Sequence, residues 1–392
     1  MLPTYPFEDD PGSDHSEAGR RLLDQTPVAR ARLANDGSEV WLALSHRAVR
    51  QVLSDARFSR EAAARPEAPM TLRVAAMPDM LPSMDPPRHT KARRLMASAF
   101  GPRMIAQLEP LVRGMVQTLL DGLDSPCDLV DGYAEPLPIM VICELLGVPY
   151  EDRERIRDWA TRLIALTAYT REEIEAAMDQ IAGYLGDLIA ERRAAPDDRL
   201  ISELVKVNDR EGILTPNELI VNVRTLLVAG HETTVNQIGN SLVTLFGHPE
   251  QLKLLSERPD LWPAAVDELL RYSMLTDAAL PRVALEDFDL DGVRVTAGEA
   301  VVPLIGVANR DPVAYPDPHR FDIQRDAPAP HLGLGHGPHF CLGAQLARLE
   351  LLLTLRMLFE RHPEVTPAVP LESLQWWPGL AMRSLRSLPV RW

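Results

Sequence analysis

Four stretches of the chain bring together residue types that could do chemistry. The first, "HLGLGHGPHFCLG" at 331–343, holds three histidines, four glycines and one cysteine, with no acid. A thiolate is a nucleophile and a metal ligand. The glycines beside it let backbone N–H groups approach the sulfur and let a flat ligand lie close. The second, "LLVAGHETT" at 226–234, carries an acid and two hydroxyls into an apolar run. Glu232 could move protons, and Thr233 could hold a reacting group by a hydrogen bond. The third, "DELLRYS", sets Glu268 and Arg271 three residues apart on one helical face. In the fourth, "SMDPPRHTKARRLM", His89 and Arg93 are four apart and suited to grip one anion, while Lys91 and Arg94 point elsewhere.

Each stretch also has a plainer reading. A long core helix can carry a polar kink. A Glu–Arg pair is commonly a solvated contact of little energetic value. A basic helix face is commonly just wet. A lone cysteine is commonly inert, which suits Cys127 and also Cys143 within "IMVICELLGV". Around Cys341 two metal sites compete. Zinc shared by His331, His336, His339 and Cys341 would draw all its ligands from one short, glycine-rich loop, whereas structural zinc usually uses more than one cysteine. An axial thiolate on haem iron needs one sulfur, amide donors to tune it and a helix N-terminus nearby. Gly343-Ala344 opens such a helix.

These residues need elements to position them. Helical periodicity dominates 104–123, 136–147, 150–166, 171–193, 216–247, 249–257, 260–273 and 343–361. Thr215, Pro216 and Glu218 form a capping box at the start of the longest helix. It should run roughly thirty residues, or about 45 Å, and end at His248-Pro249. Thr233 can bond the carbonyl of Ala229, which would loosen the ladder at its centre. Short strands are expected at 39–45 and between 288 and 306, with an extended C-terminal end and a proline-rich meander over 307–330. No repeat or linker stands out. The pattern predicts a mainly α chain with small β-sheets, forming one domain over 1–392.

Net charge is −15, which argues against wholesale binding to nucleic acid or anionic membrane. Three cysteines make no disulfide framework and favour a reducing cytoplasm. No signal-like segment or run of about twenty apolar residues is seen. A cytoplasmic, unanchored protein is expected.

Taken in chain order, these stretches resemble the motifs of the cytochrome P-450 family. "LGHGPHFCLG" resembles its haem-binding loop, Phe-Gly-x-Gly-x-His-x-Cys-x-Gly, departing only at Leu334. "AGHETT" resembles its oxygen-activating motif, "ELLR" its Glu-x-x-Arg motif, and "RHTKAR" the His-x-x-x-Arg of its haem-facing helix. "ANRDPVAYPDPHRFDIQR" resembles the meander of its soluble bacterial branch. The resemblance effectively covers the whole chain, and it implies a single haem-thiolate domain with the P-450 fold.

It also implies roles. Cys341 matches the axial ligand of the iron of haem b. His89, Arg93, Arg282 and His339 match positions that pair with the haem propionates. Ala229 and Gly230 match the place where dioxygen and substrate lie against the central helix. Thr233 and Glu232 match the alcohol and acid that deliver protons to dioxygen. Glu268, Arg271 and Arg320 match a structural network behind the cysteine loop. Electrons would come from NAD(P)H through an external ferredoxin and ferredoxin reductase, with Lys91, Arg94 and Arg348 as cations for an acidic ferredoxin. The protein would be a monomer.

By family position, substrate would face the segments 61–83, near 160–180, 226–233, 274–281 and 379–382, with Arg73 and Asp277 as polar anchors. These are Met- and Ala-rich with few aromatics, which suits a bulky, mostly apolar molecule. A polyketide, peptide or terpenoid fits, as in secondary-metabolite tailoring. The leading activity is insertion of one oxygen atom of O2. Oxidative coupling or ring closure is the alternative on the same scaffold. A non-catalytic haem-containing ligand-binding protein is the alternative of another class. The Glu232-Thr233 pair argues against that one, because a mere binder gains nothing from a costly polar break in its central helix.

Overall fold

A computed structural model describes residues 2–7, 15–69, 78–97, 100–165, 168–273 and 275–392. The helices are α1 (Glu17–Leu23), α2 (His46–Ser54), α3 (Arg60–Ala63), α4 (Arg88–Ala97), α5 (Pro102–Asp121), α6 (Pro136–Leu146), α7 (Arg153–Leu163), α8 (Arg171–Ala194), α9 (Leu200–Glu211), α10 (Pro216–Phe246), α11 (Pro249–Glu257), α12 (Trp262–Tyr272), α13 (Ile305–Ala308) and α14 (Ala344–Arg361). The strands are β1 (Thr4–Tyr5), β2 (Val28–Leu33), β3 (Glu39–Ala43), β4 (Phe58–Ser59), β5 (Cys127–Asp128), β6 (Arg282–Ala284), β7 (Phe288–Leu290), β8 (Val293–Val295), β9 (Ala300–Pro303), β10 (Thr366–Pro367) and β11 (Pro389–Arg391). The expected helices are all present with ends shifted by a few residues. Sequence periodicity missed α1, α2, α9 and β2.

The chain divides into two compact units. The first comprises Met1–Pro78, Pro82–Asp85 and His248–Ala344. Its six-stranded sheet runs β1-β2-β3-β9-β6-β4. Successive side chains of a strand point to opposite faces, and here both faces are covered. Val40, Leu42 and Leu44 enter one apolar cluster, while Trp41 and Ala43 enter the other with α2 residues Val49, Val52 and Leu53. Burial on both faces explains why Ala300–Pro303 is apolar without alternation. The β7–β8 hairpin stands beside the same cluster through Phe288, Leu290 and Val295.

The second unit comprises Asp79–Leu81, Pro86–Gly247 and Gln345–Trp392. Its axis is α10, packed on α6, α7 and α8. The capping box forms as expected: Thr215 Oγ1 accepts from the Glu218 amide at 3.2 Å, and Glu218 Oε2 accepts from the Thr215 amide at 2.7 Å. Arg88 of α4 also binds Glu218, with Nε at 3.1 Å. Because α6 is apolar nearly all round, it is buried nearly all round. A three-stranded sheet, β10-β11-β5, carries the extended C-terminus.

Within this unit Glu350 of α14 is 2% exposed, and its Oε2 has no hydrogen-bond partner. Burial holds its carboxyl well above the usual carboxylate range. Above the unfolded-state value the unfolded chain has lost this proton and the folded chain keeps it. Stability from this group therefore falls as pH rises. Glu350→Gln should gain stability over the parent as pH is raised from 5 to 8, by up to about 1.4 kcal/mol per pH unit. Urea midpoints across that range check the slope, and a pH-independent difference would contradict it.

Candidate active site

The expected site residues divide between the two units, and each set is built within its own. In the first unit the cysteine loop is a tight backbone turn. The Cys341 amide donates to the Leu334 carbonyl at 2.8 Å, the Gly335 amide to Leu332 at 2.8 Å and the Phe340 amide to Gly337 at 3.0 Å. Cys341 is half-buried and lies three residues before the first residue of α14. Gly337 has φ +70°, and a Cβ there would stand 2.6 Å from the Leu53 carbonyl oxygen, so only glycine lets the turn lie against α2. Among the described residues, no group of three or more His, Cys, Asp or Glu side chains could hold a metal ion. The four-ligand zinc reading therefore fails.

Behind the loop, Glu268 and Arg271 form a buried bidentate pair, with Oε2–Nε and Oε1–Nη2 both at 2.7 Å. Arg271 Nη1 donates to the carbonyls of Asn309 and Pro318 at 2.9 Å, and Nη2 to that of Arg320 at 3.2 Å. The third member of the network is corrected. Arg320 contributes only that carbonyl: its side chain is 64% exposed beside Asp322. Arg325 supplies the second guanidinium, 8% exposed, with Nε 3.1 Å from Glu268 Oε1. It also donates to the carbonyls of Pro316, Asp317 and Arg320. Proline-set turns carry the Arg320 side chain outward. Two arginines five apart in a meander look alike in sequence, so no sequence signal separated them. Asn309 then passes the anchor on, its Oδ1 accepting from the Leu332 amide at 2.7 Å, at the start of the cysteine loop.

In the second unit, α10 runs unbroken through its polar centre. Thr233 bonds the Ala229 carbonyl at 2.5 Å and Thr234 bonds that of Gly230 at 3.1 Å. These hydroxyls use a second lone pair of each carbonyl, so the expected break in the ladder does not occur. Leu226, Ala229, Gly230 and Thr233 form the less buried stripe of a helix whose other faces are largely buried. The side on which Gly230 lacks a Cβ is filled, because an added Cβ would meet Ile142 Cδ1 at 2.8 Å. The missing Cβ of Gly230 thus also serves the close approach of α6.

Glu232 and Thr233 do not bond each other. Glu232 is buried toward α7, where the Thr161 hydroxyl donates to its Oε1 at 2.5 Å. Burial raises its carboxyl above the usual range, opposed by the Thr161 hydrogen bond and assisted by the charge of Glu135. His231 is buried beside it, with Nδ1 3.7 Å from Oε1. Its imidazole is pushed down to about 3 by burial and then by Arg157, so it is neutral at physiological pH. Thr161 was not legible as a site residue, because nothing local in "DWATRL" marks a partner 71 positions away.

Of the expected cations, His89 is buried and Arg93 half-buried on α4, while Lys91 and Arg94 are exposed on its other side. Arg282 is buried at the start of β6, and His339 is half-buried in the Gly337–His339 turn. Two expected substrate segments meet within the second unit: Ala165 pairs with Leu380, and the Ala381 amide donates to the Ile164 carbonyl at 3.2 Å. In the first unit the Gly306 amide donates to the Asp277 carbonyl at 3.0 Å. Arg73 lies outside the described residues.

A sequence model described as Cytochrome P450 matches residues 159–258 and 251–386. The chain belongs to the cytochrome P450 family. It is 43% identical to a nocardicin C N-oxygenase of Nocardia uniformis subsp. tsuyamanensis, over 99% of this chain and 98% of that one. Among solved structures it is similar to the LnmA cytochrome P450 hydroxylase of the leinamycin biosynthetic pathway of Streptomyces atroolivaceus. There the TM-score is 0.91 at 43% identity, with both chains fully covered. It is also similar to a cytochrome P450 with biaryl coupling reactivity, with TM-score 0.95 at 34% identity and both chains fully covered. The fold is thus the mainly α P450 fold, and the protein is a P450 monooxygenase. Haem is its cofactor, redox partners supply its electrons and a small molecule is its substrate. No helix among the described residues is long and apolar enough to cross a membrane.

The donor set fits haem. The macrocycle brings four nitrogens of its own and asks the protein for one more ligand, and among the described residues no group of three or more His, Cys, Asp or Glu side chains could complete a purely protein-made site at Cys341.

Two outcomes follow from this geometry. Arg325→Ala leaves the Glu268 carboxylate half-paired in the interior and should cost about 3–5 kcal/mol, whereas Arg320→Ala should stay within about 0.5 kcal/mol. Denaturant unfolding of both variants decides, and equal losses would restore Arg320 to the network. Thr161→Val removes the bond that holds the Glu232 carboxyl down, so that group should titrate at higher pH. An infrared carboxyl titration, read as the difference from Glu232→Gln, measures the direction; an unmoved or lowered midpoint contradicts it.

Proposed function

We propose that the chain inserts one oxygen atom of O2 into a bulky, mostly apolar secondary metabolite of polyketide, peptide or terpenoid type. The whole of 1–392 works as one catalytic domain, a cytoplasmic monomer. Electrons come from NAD(P)H through a ferredoxin reductase and a ferredoxin. The observation that carries this reading is the half-buried thiol of Cys341, pinned through its own amide and set three residues before α14. The relatives' roles in antibiotic pathways support the substrate class.

Haem, when bound, supplies the oxygen activation. The chain's residues do the rest. Cys341 would provide the sulfur that ligates the haem iron. His89, Arg93, Arg282 and His339 hold the two propionates, which need cationic or donor partners in an apolar slot. Ala229 and Gly230 keep one stripe of α10 low, and the Thr233 hydroxyl stands on that stripe. Glu232 holds a proton in its buried carboxyl until Thr233 and water can take it up. For this Glu232 must leave Thr161 or relay through it.

Oxidative coupling or ring closure is the second reading, favoured by the similarity to a biaryl-coupling enzyme. Both readings use the same residues.

The reduced protein with carbon monoxide should give the thiolate-type Soret shift, and Cys341→His should abolish it. Thr233→Ala should keep that spectrum but lower product per NAD(P)H consumed by about tenfold or more, diverting electrons to peroxide. Labelled dioxygen then separates the readings, since label in the product marks insertion and unlabelled product marks coupling. A normal yield from Thr233→Ala would remove Thr233 from proton delivery.

A further inference from the structure

One cluster in the first unit carries charge that the fold does not balance. Arg60 opens α3 and Arg282 opens β6, and they are 1% and 4% exposed. Both guanidiniums reach one oxygen. The Pro281 carbonyl accepts from Arg60 Nη1 and lies 3.5 Å from Arg282 Nη1. Arg282 Nη1 donates to the Leu280 carbonyl at 2.7 Å, and Arg60 Nε to that of Pro82 at 2.9 Å. All of these acceptors are neutral.

The nearest acid does not close the account. Asp85 acts on both cations through its charge. Its oxygens, however, accept from the Ser59 hydroxyl, the Arg60 amide at 2.9 Å and the Glu61 amide at 3.3 Å. Among the described residues no carboxylate forms an ion pair with either guanidinium. Arg60 Nη2 is buried and has no hydrogen-bond partner. A guanidinium stays protonated in proteins, so two buried cations face one acid. Burial pushes Arg60 down to about 10 and Arg282 well below its ordinary value, with Arg60 itself adding to the effect on Arg282. Two such groups sharing one carbonyl repel each other unless an anion joins them.

We propose that Arg60 is a further haem-anchoring residue, whose Nη2 joins Arg282 in binding one propionate carboxylate. The inference rests on the reading that Arg282 faces a propionate. A planar fork with donors to spare suits a carboxylate. None of the matched family motifs includes Arg60, which lies in "ARFSREAAA".

The test compares Arg60→Gln, Arg60→Lys and Arg282→Gln by the rate of haem transfer from the ferric holoenzyme to excess apomyoglobin. Arg60→Gln should lose haem about tenfold faster, as expected for one charged hydrogen bond. Arg282→Gln should lose it at least as fast, and Arg60→Lys should recover most of the difference. Protein reconstituted with haem dimethyl ester has no carboxylate to bind, so the parent and Arg60→Gln should then lose haem at equal rates. A parental rate in Arg60→Gln, beside a faster one in Arg282→Gln, overturns the Arg60 assignment and leaves the Arg282 reading standing. An Arg60→Gln excess that persists with the ester also overturns it, because the effect is then structural. Parental rates in both Gln variants remove the propionate reading, and Arg60 falls with it.

Discussion

A buried carboxylate is tolerable only when its oxygens are fully used, and Glu268 meets that condition with two guanidiniums and the Asp322 amide. The two arginines spend their remaining donors on carbonyls of the meander between 309 and 320. That segment has almost no regular hydrogen bonding of its own, so its path is set by these donors. Asn309 carries the constraint into Leu332, and the backbone turn carries it from Leu334 to Cys341. The place of the sulfur is therefore decided on α12, some seventy residues earlier in the chain.

The other unit faces the opposite problem, which is to keep polar groups inside a long apolar helix. Thr233 and Thr234 turn inward to their own backbone. Burial pushes the His231 imidazole down to about 3, so it is neutral, and raises the Glu232 carboxyl above its ordinary range. Arg157, paired with Glu135 at 2.7 Å, also acts on Glu232 through its charge and opposes that rise. The centre of α10 thus stays helical while carrying a group able to give up a proton.

Much of this was legible because local chemistry is written locally. The capping box, the long periodic helices and the Glu268–Arg271 spacing each depend on residues within a turn of one another. The turn at Cys341 was legible from its glycines. What escaped the sequence depends on partners far away. Arg325 and Arg320 differ only in which way the meander turns them. Thr161 becomes part of the site only because α7 crosses α10. Helix α2 was missed because it is short: Ala48, Val49, Val52 and Leu53 have helical spacing, but over only 9 residues, and its place is fixed by the sheet and the loop it packs on. Gly230 was visible but its reason was not, since the side that lacks a Cβ could be known only once α6 was in place.

That last contact has a consequence for how sequences of this kind can drift. An added Cβ at position 230 would meet Ile142 Cδ1 at 2.8 Å and Cγ1 at 3.2 Å, so the Ile142 side chain would have to shift to admit it. Enlarging position 230 is easiest where position 142 shrinks by about a methyl group. The two should therefore vary as a complementary pair among homologous sequences, although they are far apart in the chain and only one lies in a recognisable motif. Covariation at these positions would record the spacing of two helices and carry no information about substrate choice.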